Sequence, residues 1–188
     1  MDKNKVAVLF ARKDSIYKEF EQCDVYDIER NALTFSGGIP IIAHPPCRSW
    51  GKFKQFSNGD HKEKQLAIWA VRQIRKYGGV LEHPETSSLW NQLGLPLGSQ
   101  RDKWGGFTLS VDQSWFGHRA RKRTWLYIVG IEPAEIPAYS INFRPVEFLI
   151  NRSTGKGRQL PEVSKAEREA TPPDFAKWLI ELAQKTRK

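Results

Sequence analysis

Ile39-Pro40-Ile41-Ile42-Ala43-His44-Pro45-Pro46-Cys47-Arg48-Ser49-Trp50-Gly51 is the stretch whose reading decides the fold. The apolar run from Ile39 to Ala43 is short and β-branched, which reads as a buried strand. It breaks at two consecutive prolines, which cannot donate to a sheet ladder and impose a stiff, extended exit. Cys47 is thereby expected on a rigid loop at the carboxyl end of a strand, where open α/β sheets place their ligands.

Working outward, Lys5–Ala11 (KVAVLFA) reads as a first strand with the continuous apolar character of a parallel, doubly covered position. Asp14 or Ser15 caps an expected helix within Arg12–Phe20. Asp24–Ile28 reads as a second strand with acids at its end, and Gly37-Gly38 turns the chain into the strand before Cys47. On the other side, 52–64 reads as a polar surface loop. The clearest helix is Lys64–Tyr77, where Leu66, Ile68, Trp69, Val71, Ile74 and Tyr77 recur near helical spacing before Gly78-Gly79 stops it. Val80-Leu81-Glu82-His83-Pro84 repeats the theme of a short apolar strand ending in a functional side chain and a proline. Two strands joined by one helix imply a parallel crossover, which sets Cys47 and Glu82 on the same edge of the sheet.

Further along, Glu85–Gly106 is rich in Gly, Ser, Asn and Trp and reads as an irregular loop with a mobile or substrate-facing role. Phe107–Gln113 and Thr124–Ile131 read as an antiparallel pair around the basic turn Trp115-Phe116-Gly117-His118-Arg119-Ala120-Arg121-Lys122-Arg123. Ser164–Lys188 reads as a closing amphipathic helix with Phe175, Trp178, Leu179, Leu182 and Ala183 inward, its start marked by Thr171-Pro172-Pro173-Asp174. The whole, 1–188, reads as one α/β domain.

Composition narrows the class. The 188 residues carry a formal charge of +9, which favours a polyanionic partner such as nucleic acid. No apolar run reaches the roughly 18 residues of a membrane span, and the N-terminus lacks a signal-peptide core. The two cysteines, Cys23 and Cys47, lie far apart and suggest a reduced, cytoplasmic protein. Cys23 reads as a structural thiol. His44, Cys47, His83 and His118 lack metal-ligand spacing, so no metal is expected. Gly155-Lys156-Gly157-Arg158 reads as a flexible basic turn near phosphate, because it lacks the longer phosphate-loop pattern.

A cysteine, a carboxyl group and cations together suit one reaction. A pyrimidine carbon-5 becomes nucleophilic when a thiolate adds to carbon-6 while an acid stabilises the ring nitrogen. The order of these groups resembles that of the DNA (cytosine-5) methyltransferases, and within them the short methylase-like proteins of bacteriophages. His44-Pro45-Pro46-Cys47 resembles the proline-cysteine nucleophile motif. Glu82-His83-Pro84 resembles the glutamate-asparagine-valine motif in its glutamate. Gln113 with Arg119 and Arg121 resembles the glutamine-arginine-arginine motif with stretched spacing. Phe116-Gly117-His118 with Lys122, Thr124 and Leu126 is closer to the phage subgroup. Thr171-Pro172-Pro173-Asp174-Phe175-Ala176 resembles the last motif.

The resemblance implies a Rossmann-like, mostly parallel sheet with flanking helices, a reduced methyltransferase fold with an antiparallel edge. It implies Cys47 as nucleophile, Glu82 on the base, Arg119 or Arg121 orienting the base and its phosphate, and S-adenosylmethionine as cofactor near Phe10, Asp27, Glu29 and Pro46. DNA would contact Arg48, Trp50, Gln113, Trp115, His118, Lys122 and Arg123, with Trp50 and Trp115 stacking on an extruded base. The glycine loop of the family's first motif is missing after Leu9-Phe10-Ala11. Only Arg30–Ile39 separate the acids from the next strand, too few for a further helix and strand. The length also leaves no room for a target-recognition domain, so a single-stranded substrate or a helper protein is expected.

Overall fold

A computed structural model of the chain describes residues 4–50, 61–143, 145–151 and 160–186. Six strands form one sheet in the order β2-β1-β3-β4-β6-β5. They are β1 (Val6–Leu9), β2 (Cys23–Tyr26), β3 (Ile41–Ala43), β4 (Gly79–Pro84), β5 (Phe107–Asp112) and β6 (Arg123–Val129). The first four pair in parallel, and β6 runs antiparallel between β4 and β5. The expected α/β sheet with an antiparallel edge is present.

The continuous apolar strands are explained by helices on both faces. Alternation along β1 sends Val6 and Val8 toward α4 (Pro173–Lys185), where Phe175, Trp178, Leu179 and Leu182 complete the layer. It sends Ala7 and Leu9 toward α1 (His61–Tyr77), where Ala67, Ala70, Val71 and Ile74 do the same. Gly79 makes the β3–β4 approach possible: a Cβ there would stand 2.1 Å from the Ile41 carbonyl oxygen, closer than any side chain tolerates.

Several expectations change in detail. Arg12–Phe20 holds a single 3₁₀ turn, Ile16–Glu19, behind Ser15, because β2 begins at Cys23 and leaves no length for a full helix. The irregular loop contains α2 (Ser88–Leu93), capped by Ser87 and ended by left-handed Gly94. Its Leu89 and Trp90 are buried, and Trp90 Nε1 donates to Thr108 at 2.8 Å. Part of this segment therefore feeds the core. The closing helix is two, α3 (Lys165–Glu169) and α4, separated where Pro172 and Pro173 remove N–H donors and disfavour helix in the residue before them. The polar stretch 52–60 and the turn 155–158 lie outside the described residues, and α1 already begins at His61.

Candidate active site at the carboxyl edge of the parallel strands

β1 pairs with β2 on one side and β3 on the other, so the order reverses between β1 and β3, the position at which α/β sheets open a crevice. Every strand that runs with β1 delivers a site candidate to this edge: Phe10 after β1, Asp27 after β2, His44 to Cys47 after β3, Glu82 near the end of β4, and Gln113 after β5. Phe10 and Thr86 are the two non-glycine residues with positive φ, at 62° and 66°, among the described residues. Both stand just past strand ends at this edge, where backbone strain commonly accompanies function.

The Cys47 loop is firmly held. His44 N donates to the Leu9 carbonyl at 3.0 Å, and Trp50 N closes a turn onto the Cys47 carbonyl at 2.9 Å. Ser88, through both its N and its Oγ, donates to the Trp50 carbonyl. The Trp50 ring is 1% exposed. Trp50 therefore anchors the loop from the core, and the stacking role expected of it is corrected. Cys47 itself is exposed.

Glu82 is the centre of the polar network. Its Oε2 lies 3.1 Å from His44 Nδ1, and its Oε1 accepts from Gln113 Nε2 at 3.0 Å. Gln113 also donates to Thr124 Oγ1 at 3.0 Å. His44 Nε2 lies 3.2 Å from the hydroxyl of Tyr17, which is fully buried. Burial pushes the Glu82 carboxyl up, but the His44 hydrogen bond and the Lys122 charge outweigh it and hold it at about 2. The carboxylate is thus ionised, and His44 Nδ1 carries the hydrogen between them.

Three groups are electrostatically coupled here. Loss of hydration and the Glu82 charge raise the Cys47 thiol, against an opposing pull from Lys122. Burial lowers the Lys122 ammonium, while Glu82 and Cys47 favour its charge. Lys122 Nζ also donates to the Ala170 carbonyl at 2.9 Å. Its position follows from Asp112, whose Oδ1 accepts from both Ser114 N and Lys122 N and so closes the basic turn. The charges of the thiol, the carboxylate and one ammonium therefore act on one another at this edge.

The other expected residues lie elsewhere. Arg119 forms a two-pronged pair with Glu167 and covers the Phe148 ring, so it turns toward α3. Arg121 is exposed in the turn. Lys122 supplies the cation beside Glu82 that these arginines were expected to provide. Arg48 pairs with Glu63, and Arg123 with Glu85 at 2.9 Å. Gln113 is 1% exposed and bonded to Glu82, and His118 is buried, its ring nitrogens facing backbone groups of Ala120 and Glu167; neither side chain is free to meet nucleic acid directly. Trp115 stacks on Tyr139 at 5.9 Å beside a groove of about 410 Å³ that does not touch Cys47. Cys23 is half-buried, its thiol pushed up to about 11 by burial, as befits a packing residue.

The cofactor assignments fit poorly. Asp27 Oδ1 accepts from the N–H groups of Glu29 and Arg30, and Oδ2 from Lys18 at 2.5 Å. Those bonds, led by Lys18, hold its carboxyl at about 2 and leave it closed to a ribose. Glu29 pairs with Lys13 at 2.6 Å on the surface. Arg12, three residues past β1, is tied to Asp14 and to Glu169 at 3.0 Å. Phe10 leans on Trp69 and Pro46 is half-buried. The residues present do not form the S-adenosylmethionine site implied by the resemblance.

His44 and Tyr17 were not singled out as functional by sequence. Register was the available signal for the first: Ala43 is level with Leu81 in the parallel pair, which brings His44 level with Glu82. Nine of the 30 lysines and arginines, but only two of the 21 acids, lie outside the described residues, so most of the net positive charge belongs to those segments. No helix among the described residues is long and apolar enough to cross a membrane. No protein-family model matches the chain, and no curated protein is similar to it.

Proposed function

We propose that the chain is a DNA base-modifying enzyme in which Cys47 adds to carbon-6 of an extruded cytosine and thereby activates carbon-5. The observation that supports this most is the coupling of an exposed thiol, an ionised carboxylate and an ammonium at the carboxyl edge of one parallel sheet. The thiol releases its proton to solvent, a step that Lys122 favours and Glu82 opposes. Sulfur then bonds to carbon-6, the carbon-5/carbon-6 electron pair shifts through the ring, and the ring nitrogen takes a proton at Glu82. Carbon-5 is left electron-rich. Extrusion of the base costs a few kcal/mol from a duplex and less from a single strand, which favours single-stranded DNA.

Because Asp27 already bonds Lys18, Glu29 and Arg30, the donor that carbon-5 meets is a separate question from its activation. Incubation with single-stranded DNA tritiated at cytosine carbon-5 tests the activation alone, since carbon-5 of the adduct takes a proton from water and loses its triton to water before the sulfur leaves. Release by the wild type and none by Cys47→Ser is expected. Equal release by both, or none by either, removes the enzymatic reading and leaves a non-catalytic nucleic-acid-binding protein, which the closed cofactor residues also suit. Adding labelled S-adenosylmethionine to the same mixture shows whether its methyl group reaches the DNA.

A further inference from the structure

Glu82 presents a contradiction that its neighbours resolve. An ionised carboxylate cannot give a proton to a ring nitrogen, yet the proposed addition requires one there. The hydrogen nearest to Glu82 is on His44, whose Nδ1 stands 3.1 Å from Oε2. On the far side of the same ring, Nε2 meets the Tyr17 hydroxyl at 3.2 Å, and the two rings lie 5.4 Å apart. The imidazole is therefore gripped at both nitrogens, and its side chain is 14% exposed.

We propose that His44 is the positioning residue and proton reservoir of Glu82, a role that rests on the base-modifying reading above. In the neutral state the Tyr17 hydroxyl donates to Nε2 and Nδ1–H donates to Glu82, so the less common tautomer is imposed by geometry. As imidazolium, His44 passes its Nδ1 proton to Glu82 and turns its remaining Nε2–H toward the Tyr17 oxygen. Glu82 then gives that proton to the ring nitrogen as the Cys47–carbon-6 bond forms. On reversal the sulfur leaves, the ring nitrogen returns the proton to Glu82, and Glu82 returns it to His44. Gln113 holds the other carboxylate oxygen, so the delivering oxygen faces His44 throughout.

The groups that face His44 are few: Tyr17 from the 3₁₀ turn, Glu82 from β4, and Cys47 and Lys122 through their coupling to that carboxylate. His83 on β4 bears on Glu82 electrostatically, but its ring turns to Ser87.

Two measurements on the full chain test this. Nitrogen NMR of the histidine rings should find His44 protonated at Nδ1 in the neutral wild type, with the preference relaxed in Tyr17→Phe. An Nε2–H tautomer in the wild type overturns the proposal, whatever the chain does to DNA. Carbon-5 hydrogen exchange from cytosine should then fall about 100-fold in His44→Gln, within the usual range for proton-transfer groups. Added imidazole should restore part of that rate in His44→Gly, as an external proton carrier does. A slow His44→Gly that imidazole leaves unchanged makes His44 a purely structural contact and overturns the reservoir. Absence of exchange in the wild type together with the Nδ1–H tautomer defeats the base-modifying reading, and the reservoir with it, while the locked ring stands.

Discussion

Removing the Glu82 charge while keeping its shape should expose how much folding stability the site supplies. Holding this carboxyl at about 2 instead of its ordinary 4.5 corresponds to about 3 kcal/mol, at about 1.4 kcal/mol per tenfold change in acidity. The side chain is 14% exposed, so solvent screens little of this. Because the folded state is the weaker proton binder, the contribution is complete above pH 4.5. It is lost as pH falls toward 2, where the folded carboxyl also protonates. In Glu82→Gln the side-chain oxygen still accepts from Gln113 and the amide turns to His44, so the loss isolates the charge. Urea unfolding from pH 7 down to pH 3 should show the wild type more stable by about 3 kcal/mol at neutrality, shrinking to about half of that at pH 3. Parallel pH curves for the two proteins would refute the reasoning, because a gap that ignores pH is packing, not ionisation.

Further outcomes follow from neighbouring groups. Burial, opposed by the Glu82 charge, holds His83 neutral with a value of about 4. The unfolded chain therefore binds its proton first, and stability should drop as pH falls from about 6.5 to 4. His83→Gln should lack that drop in the same urea series, and an unchanged drop would contradict it. Trp50→Ala should cost about 3–5 kcal/mol, as truncation of a buried tryptophan does; a cost below about 1 kcal/mol would return Trp50 to the surface role first expected of it. Alkylation at pH 8 should modify Cys47 well before Cys23 and run faster in Glu82→Gln, where the opposing charge is gone, and slower in Lys122→Gln. Rates indifferent to both substitutions would separate the thiol from the carboxylate.

Strands were legible wherever two faces are buried. Val6–Leu9, Ile41–Ala43 and the Val80-Leu81 part of β4 are apolar because helices cover them on both sides. Cys47 and Glu82 were legible for a related reason: a proline just past an apolar run marks a strand end, and parallel strand ends share an edge. Aromatic residues among cations were not legible. Trp50 and Trp115 stand in basic stretches as a stacking platform would, yet one fills the core and the other packs on Tyr139. Nothing local distinguishes these fates, since they are decided by α1, α2 and Tyr139, which are distant in sequence. The same limit applied to Arg119, Arg121 and Lys122, three cations within four positions. Which one turns to Glu82 is set by Asp112 gripping the backbone of Lys122 and by Glu167 drawing Arg119 away.

The most direct test of the shared thiol–carboxylate site is covalent. Single-stranded DNA carrying 2-pyrimidinone in place of cytosine offers carbon-6 without the 4-amino group and retains a thiol adduct. Intact-mass spectrometry should show the wild-type chain shifted by one oligonucleotide, peptide mapping should place the bond on Cys47, and Glu82→Gln should reduce the yield at least tenfold. An unmodified wild-type chain, or an adduct that forms equally well in Cys47→Ser, would contradict the account.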